Sequence, residues 1–397
     1  MFGLGSSQKI SSPVLIFDIG SGSVGAALVD ITGVIPTMLW NVRRPFPFQE
    51  KLEYSRYRKG MLETFSSVAA LVQKEGILKL GEKNIRDIEL VFASPWHISQ
   101  TVTFMFAEEK PRPVNEHLEE VNHLLKKKEK QLSKDVPGGG TALLLEKKII
   151  EMRLNGYPTA YPMGKEARTL KTSVLLSLFG TDVEREVNHI TETMFHTPPT
   201  RFHSFAGVFF SAVRDIFAKE EHFLLLDVGS EVTDVGIVRD DVLEEMISFP
   251  FGKNGVLRAL SDTLQTSVTD AEMRITLYRS GKSEPKESEK IRTALSVVEH
   301  TWQEALTKAI GELSQSITVP RSVFLTADPD LGEWFRVAIL ECTIGSLAVG
   351  ALGFNVVLLT PEHFSNLISF SPGILSDSFL DIEALFAHKN VHRTVVE

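Results

Sequence analysis

A single cysteine, Cys342, stands in 397 residues. That excludes an intrachain disulfide and a cysteine-ligated metal cluster, and it suits a reducing, cytoplasmic setting. Basic charge is also short: 42 Lys and Arg face 51 Asp and Glu, for a net charge of −9. This balance argues against nucleic-acid binding by the chain as a whole. No long uninterrupted apolar run is present. The least polar stretch, Cys342–Leu359, holds Thr343, Gly345, Ser346, Gly350, Gly353 and Asn355. It reads as a buried helix followed by a core strand, not as a membrane span. Met1–Ser12 is polar and rich in Gly and Ser, and does not read as a secretory signal. The histidines show no metal-ligand spacing, and no Ser-His-Asp or paired-carboxylate constellation stands out.

What the chain does have is an internal repeat. Residues 14–30 read Val-Leu-Ile-Phe-Asp-Ile-Gly-Ser-Gly-Ser-Val-Gly-Ala-Ala-Leu-Val-Asp, and residues 223–239 read Phe-Leu-Leu-Leu-Asp-Val-Gly-Ser-Glu-Val-Thr-Asp-Val-Gly-Ile-Val-Arg. Each is an apolar strand, an Asp, Gly-Ser, a short turn and a second apolar strand. Asp18 aligns with Asp227 and Gly20 with Gly229. A Gly-rich turn between strands lets backbone N–H groups approach a phosphate, and an Asp at the strand end can hold a hydrated metal ion. Two such hairpins suggest a pseudo-symmetric clamp on one nucleotide. Gly20, Ser21, Gly22 and Ser23 form the first candidate phosphate loop, with a tight hairpin turn as the plainer reading. Gly229, Ser230 and Thr233 form the second, where Glu231 would repel a triphosphate unless it points away.

The length allows about two to three domains with sizeable cores. Met61, Phe65, Val68, Leu71 and Val72 share one face of a helix over 57–75, and Ile88–Ser94 is a buried strand. Val34–Val42 reads as a strand and Arg43–Phe48 as a loop. Between 93 and 180 the composition changes. Pro111–Pro113 reads as a loop, a Glu/Lys-rich helix begins at Asn115, and Lys126–Lys134 reads as its solvated end before the turn Asp135–Gly140. Lys147–Leu154 and Leu170–Leu178 read as strands, and Thr181–Phe195 as a helix. Gly281–Ser288 is expected to be a mobile loop before a long helix over Glu289–Ile317. Leu331–Val349 reads as helical, and the segment from Ser365 is hard to place.

These hairpins, with Phe249-Pro-Phe-Gly-Lys-Asn-Gly255, resemble the actin/hexokinase/DnaK-type ATPase superfamily and, within it, the bacterial FtsA and PilM group. The last motif is similar to the group's Pro-Ile-Gly-Gly turn, with Gly252 as the first Gly and Lys253 in place of the second. Ala271-Glu272 falls where the group has an Ala-Glu-x-Leu-Lys helix. The insertion falls where the group carries a small strand-helix-strand-strand domain.

The resemblance implies an α/β, two-lobed, ribonuclease H-like fold. Lobe one would be 13–92, interrupted by an inserted α+β domain at 93–180 and resumed at 181–205. Lobe two would be 206–360, followed by a C-terminal segment at 361–397. It implies ATP in the cleft on Gly20, Ser21, Gly22, Ser23, Gly229, Ser230, Thr233 and Gly252, with Mg2+ oriented by Asp18 and Asp227. Such proteins are scaffolds of cell division or type IV pilus assembly. Expected partners are therefore proteins at the inner membrane, engaged through the tail peptide of a membrane protein, with self-association also open.

Two departures limit turnover to a weak ATPase at most. The group's adenosine motif is a strand followed by Gly-Gly; here Val323–Thr326 is followed by Ala327-Asp328-Pro329-Asp330, where the two aspartates can also be read as helix caps. The water-activating Glu before the helix that follows the insertion is replaced by His203, which is either a general base or a structural histidine. The leading expectation is a nucleotide-responsive cytoplasmic scaffold, peripheral at the inner face of the membrane. The alternatives are a degenerate pseudo-ATPase acting as an interaction module and, last, a sugar- or acetate-type kinase.

Overall fold

In β1 (Val14–Ile19) the residues Val14, Ile16 and Asp18 alternate with Leu15, Phe17 and Ile19, and every one is buried. A strand buried on both faces must be covered on both. β1 pairs antiparallel with β2 (Ser23–Asp30), which pairs antiparallel with β3 (Thr37–Pro45). On its other side β1 pairs parallel with β4 (Ile88–Phe92), and β4 with β9 (Thr200–Ser204). The computed structural model describes residues 13–81, 83–138, 141–159, 161–196, 199–313, 319–342 and 353–394.

The second hairpin builds the same arrangement. β10 (Phe223–Val228), β11 (Thr233–Arg239) and β12 (Val242–Phe249) form an antiparallel meander, and β13 (Ser322–Ala327) and β14 (Asn355–Leu358) add in parallel beyond β10. The sequence repeat is thus the centre of two similarly ordered sheets. A third, antiparallel sheet lies within residues 97–180. It runs β5 (His97–Pro113), β8 (Glu166–Gly180), β6 (Ala142–Leu154), β7 (Tyr157–Pro158), with α2 (Val114–Leu132) packed on it through Val121 and Leu125.

The alternation of β1 decides what each face meets. Leu15, Phe17 and Ile19 pack against α1 (Tyr54–Leu71) and α3 (Thr181–Phe195). Val14 and Ile16 face inward, into a core shared with Phe223 and Leu225 of β10, α4 (Phe205–Ile216) and α10 (Ser378–Thr394). The outer face of the second sheet is covered by α5 (Lys253–Leu264), α6 (Val268–Arg279), α7 (Pro285–Leu313) and α8 (Gly332–Glu341). By the period of two, Asp18 continues the inward row 14, 16 and Asp227 the inward row 223, 225.

Several expectations change. His97–Pro113 is one long strand, and Pro111–Pro113 ends it rather than forming a loop; β5 is the outermost strand of its sheet, where proline costs no ladder bond. Arg43–Pro45 extends β3. The helix α7 begins at Pro285, inside the expected loop, because proline's fixed φ suits a first helical turn. The segment after Ser365 is well placed: following α9 (Pro361–Phe364), β15 (Ser369–Phe370) pairs with β3, and α10 buries Leu380, Ile382, Ala384 and Phe386 between the sheets. Met1–Ser12, Gly139–Gly140, Ser314–Ile317 of the long helix and Thr343–Leu352 lie outside the described residues.

Candidate functional site

The two repeated hairpins bring their turns together. Asp18, Gly20, Ser21, Gly22 and Ser23 from the first and Asp227, Gly229 and Ser230 from the second line one cavity of about 180 Å³. Arg43, Phe379 and the segment Ala327–Pro329 complete its wall.

The two turns touch each other. The Ser21 Oγ accepts a hydrogen bond from the Glu231 N–H at 3.1 Å. A Cβ on Gly22 would stand 2.1 Å from Ser230 Oγ, and one on Gly229 would stand 2.5 Å from Ser21 Oγ. Glycine is required here for the approach of one turn to the other. Behind the first turn, Tyr57 donates to the Ser21 carbonyl at 2.5 Å and Trp96 Nε1 to the Gly20 carbonyl at 2.7 Å, and the two rings stack 4.7 Å apart.

Glu231 turns away from the cavity into a fork of Arg258, which donates to both its oxygens at 2.8 and 2.7 Å, with Asn254 at 2.7 Å. Arg258 also donates to the Gln49 carbonyl at 3.0 Å, tying the second half of the molecule to the first. A helix N-terminus offers free N–H groups to an anion. At α5 two of these are taken: Lys253 N–H donates to the Gly229 carbonyl at 3.0 Å and Asn254 N–H to the Ser230 carbonyl at 2.7 Å.

Asp18 has a partner already. Arg43 Nη1 lies 2.7 Å from its Oδ2, and the same guanidinium forks onto Asp377 at 2.7 and 2.9 Å and reaches Ser23 Oγ at 3.0 Å. Asp377 accepts from the N–H groups of Phe379 and Leu380 and so caps α10. Burial would raise Asp377, but the Arg43 charge and these hydrogen bonds hold it below the usual carboxylate range. Glu383 of α10 is buried beside Asp18, and burial followed by the Asp18 charge pushes its carboxyl well up. Asp227 accepts from Thr326 Oγ1 at 2.9 Å; burial, then the charge of Asp234, pushes it well above its ordinary value.

At the far end of the site Lys253, whose side chain is only 12% exposed, reaches Asp330 at 2.8 Å, Asp328 at 3.1 Å and Glu272 at 3.7 Å.

No protein-family profile matches the sequence, and no curated protein matches it in sequence. Solved structures do match. The PilM chain of a PilM–PilN type IV pilus biogenesis complex superposes with a TM-score of 0.59 at 15% identity, covering 96% of this chain and 98% of that one. The chain has the actin-like ATPase fold. The ethanolamine utilization protein EutJ from Carboxydothermus hydrogenoformans (TM-score 0.46, 12% identity, 94% and 90% covered) matches more loosely. So does a Bacteroides thetaiotaomicron protein with actin-like ATPase fold (0.45, 9%, 97% and 99%). At these identities the likeness concerns the fold alone.

In this actin-like frame the residues present do not fit a magnesium nucleotide. Mg2+ keeps its waters and wants free carboxylate oxygens, whereas Asp18 is ion-paired to Arg43 and Asp227 already accepts from Thr326. Of the residues expected to act, Asp18, Gly20–Ser23, Asp227, Gly229 and Ser230 converge on the cavity, and Thr233, Gly252 and His203 do not line it. Thr233 is fully buried and donates to the Phe251 carbonyl at 2.6 Å. Gly252 serves backbone contact: a Cβ there would lie 2.2 Å from the Gly229 carbonyl oxygen. His203 Nε2 pairs with Glu89 at 2.6 Å, and its ring meets Phe386 edge-on at 4.9 Å.

Sequence reasoning missed Arg43, Asp377, Glu383 and Arg258. Each acts through a partner distant in the chain, and Arg43 carried no motif. The one available signal was the misfit of Glu231 in a phosphate loop, which called for a cation nearby.

Proposed function

We propose that the chain is a PilM-like scaffold that works as an interaction module without nucleotide turnover. The observation that carries this reading is the fold shared over almost the whole length with a protein whose solved form is a complex with PilN. The state of the cleft supports the second half. Arg43 neutralises Asp18, and His203, the candidate base read from the sequence, is committed to Glu89. No helix among the described residues is long and apolar enough to cross a membrane. The scaffold would then reach the inner face of the membrane through a partner, by gripping the tail peptide of a membrane protein of pilus assembly.

The test is direct binding. Synthetic tail peptides of inner-membrane pilus-assembly proteins from the same genome are titrated against it by calorimetry, and phosphate release from Mg-ATP is followed in parallel. One tail binding stoichiometrically, with no phosphate release above the buffer rate, is expected. Turnover lost in Asp18→Ala, with no tail bound, would overturn the reading.

A further inference from the structure

We infer that this chain places its own Arg43 at the expected metal position, and that internal contacts rather than a ligand hold the two halves closed. The inference deepens the turnover-free reading above, and it is independent of which partner is bound.

Four contacts carry it, each at a place where a bound nucleotide would need something different. At the metal position a cation is present, but it is the Arg43 guanidinium, held between Asp18 and Asp377. Between the two phosphate loops there is no gap: Ser21 Oγ meets the Glu231 N–H, and Gly22 lies against Ser230. The N–H groups at the start of α5 are spent on the Gly229 and Ser230 carbonyls. Beyond them Lys253 joins Asp328 and Asp330 across the strand-end segment that stands in place of Gly-Gly.

Charge points the same way. Arg43 is shared by Asp18 and Asp377 and Lys253 by Asp328 and Asp330, so each cation faces two carboxyl groups and offers an arriving triphosphate no unpaired positive charge. The touching turns line both the inner cavity and an adjoining one of about 340 Å³ that also meets Phe46, Phe48, Lys253 and Glu272. The bonds that join the two halves here are Ser21 to Glu231, and Arg258 to Gln49. Closure is therefore intrinsic to the chain.

The geometry offers its own reporter. A Cβ at Gly229 would lie 3.6 Å from the Ser21 Cβ, within the span a disulfide bridges. In a Cys342→Ser background, the full chain carrying Ser21→Cys and Gly229→Cys is oxidised mildly, with and without millimolar Mg-ATP. Rapid and complete cross-linking without nucleotide, at a rate Mg-ATP leaves unchanged, is the expected result. Adding Arg258→Ala, which removes the bond to the Gln49 carbonyl, should slow cross-linking several-fold. Should that variant lose its circular-dichroism signature, Arg258→Gln replaces it.

Cross-linking that needs Mg-ATP, or that Mg-ATP blocks, would overturn the inference, and so would a rate indifferent to the loss of Arg258. A fluorescent ATP analogue bound by the unaltered chain would overturn it independently. The tail-peptide titration is read separately, so a failed partner leaves these outcomes intact.

Discussion

Lys253 Nζ stands 2.8 Å from Asp330 Oδ2, joining two residues 77 apart in the chain. Both depart from the glycine pattern of the resembling group, Lys253 at the turn into α5 and Asp330 after β13. The structure makes the two departures partners. Because Lys253 is mostly covered and Asp330 mostly exposed, the pair is intermediate between a surface and a buried bridge. A double-mutant cycle of Lys253→Ala and Asp330→Ala, read by urea unfolding, is expected to give a coupling of about 1 kcal/mol. Strict additivity would mean that the contact contributes nothing.

Arg43 should matter more. It is the shared partner of Asp18 and Asp377, and its removal leaves buried charge without compensation. Arg43→Ala is expected to cost about 3 kcal/mol of unfolding free energy, the scale for breaking a buried pair. Arg43→Lys should recover only part of this, since an ammonium cannot fork onto Asp377 while holding Asp18. Chemical denaturation of the three proteins settles the order.

Two close-approach glycines should both resist a methyl group. At Gly252 the Cβ meets the backbone carbonyl of Gly229, which is fixed in the turn. At Gly22 it would stand 2.3 Å from the Ser230 Cβ, which side-chain rotation cannot move. Gly252→Ala and Gly22→Ala are therefore each expected to destabilise by roughly 1–3 kcal/mol, the range for overpacking. Urea unfolding of the two variants checks this, and a neutral substitution at either position would show that its turn can yield.

Thr233 separates a structural role from a ligand role. Its hydroxyl satisfies the Phe251 carbonyl inside the second half of the molecule. Thr233→Val keeps the shape and removes that bond, so a loss of about 1–2 kcal/mol is expected. The melting temperature of the variant should be as indifferent to Mg-ATP as that of the parent.

Asp381 sets a pH dependence with a definite sign. Burial, only partly offset by Ser376, raises its carboxyl from 3.8 to about 7. The folded state therefore binds this proton more tightly than the unfolded chain does. Its contribution to stability is complete below the unfolded value and is lost as pH rises through about 7. Asp381→Asn should be more stable than the parent at about pH 8, an advantage that shrinks toward about pH 5. The difference between the two proteins is the quantity to follow. Buried His97, lowered by burial to about 4, acts in the opposite direction as pH falls below its ordinary 6.5.

Much of the fold could be read locally. Alternation in residues 14–19 and 223–228, each ending in Asp and a Gly-Ser turn, specified two central strands and the face on which Asp18 and Asp227 would lie. The helix Thr181–Phe195 followed from its own periodicity, and the strand beginning at Ile88 from its apolar run. β5 did not, because its second half is exposed and charged and its prolines imitate a loop. Nor did the C-terminal helix: α10 is apolar on more than one side because it lies between two sheets, so no single amphipathic stripe marks it.

The chemistry of the cleft was divided in the same way. By itself the sequence determined that two glycine turns and two aspartates would meet, because strand period and turn residues are properties of neighbours along the chain. Only the tertiary structure decided whether a gap stays open between them. That depends on Arg43 meeting Asp377 from 334 residues away and on Ser21 meeting Glu231 from 210 residues away. Neutralising a charge requires its partner's position in space, and no local pattern of residues encodes that position.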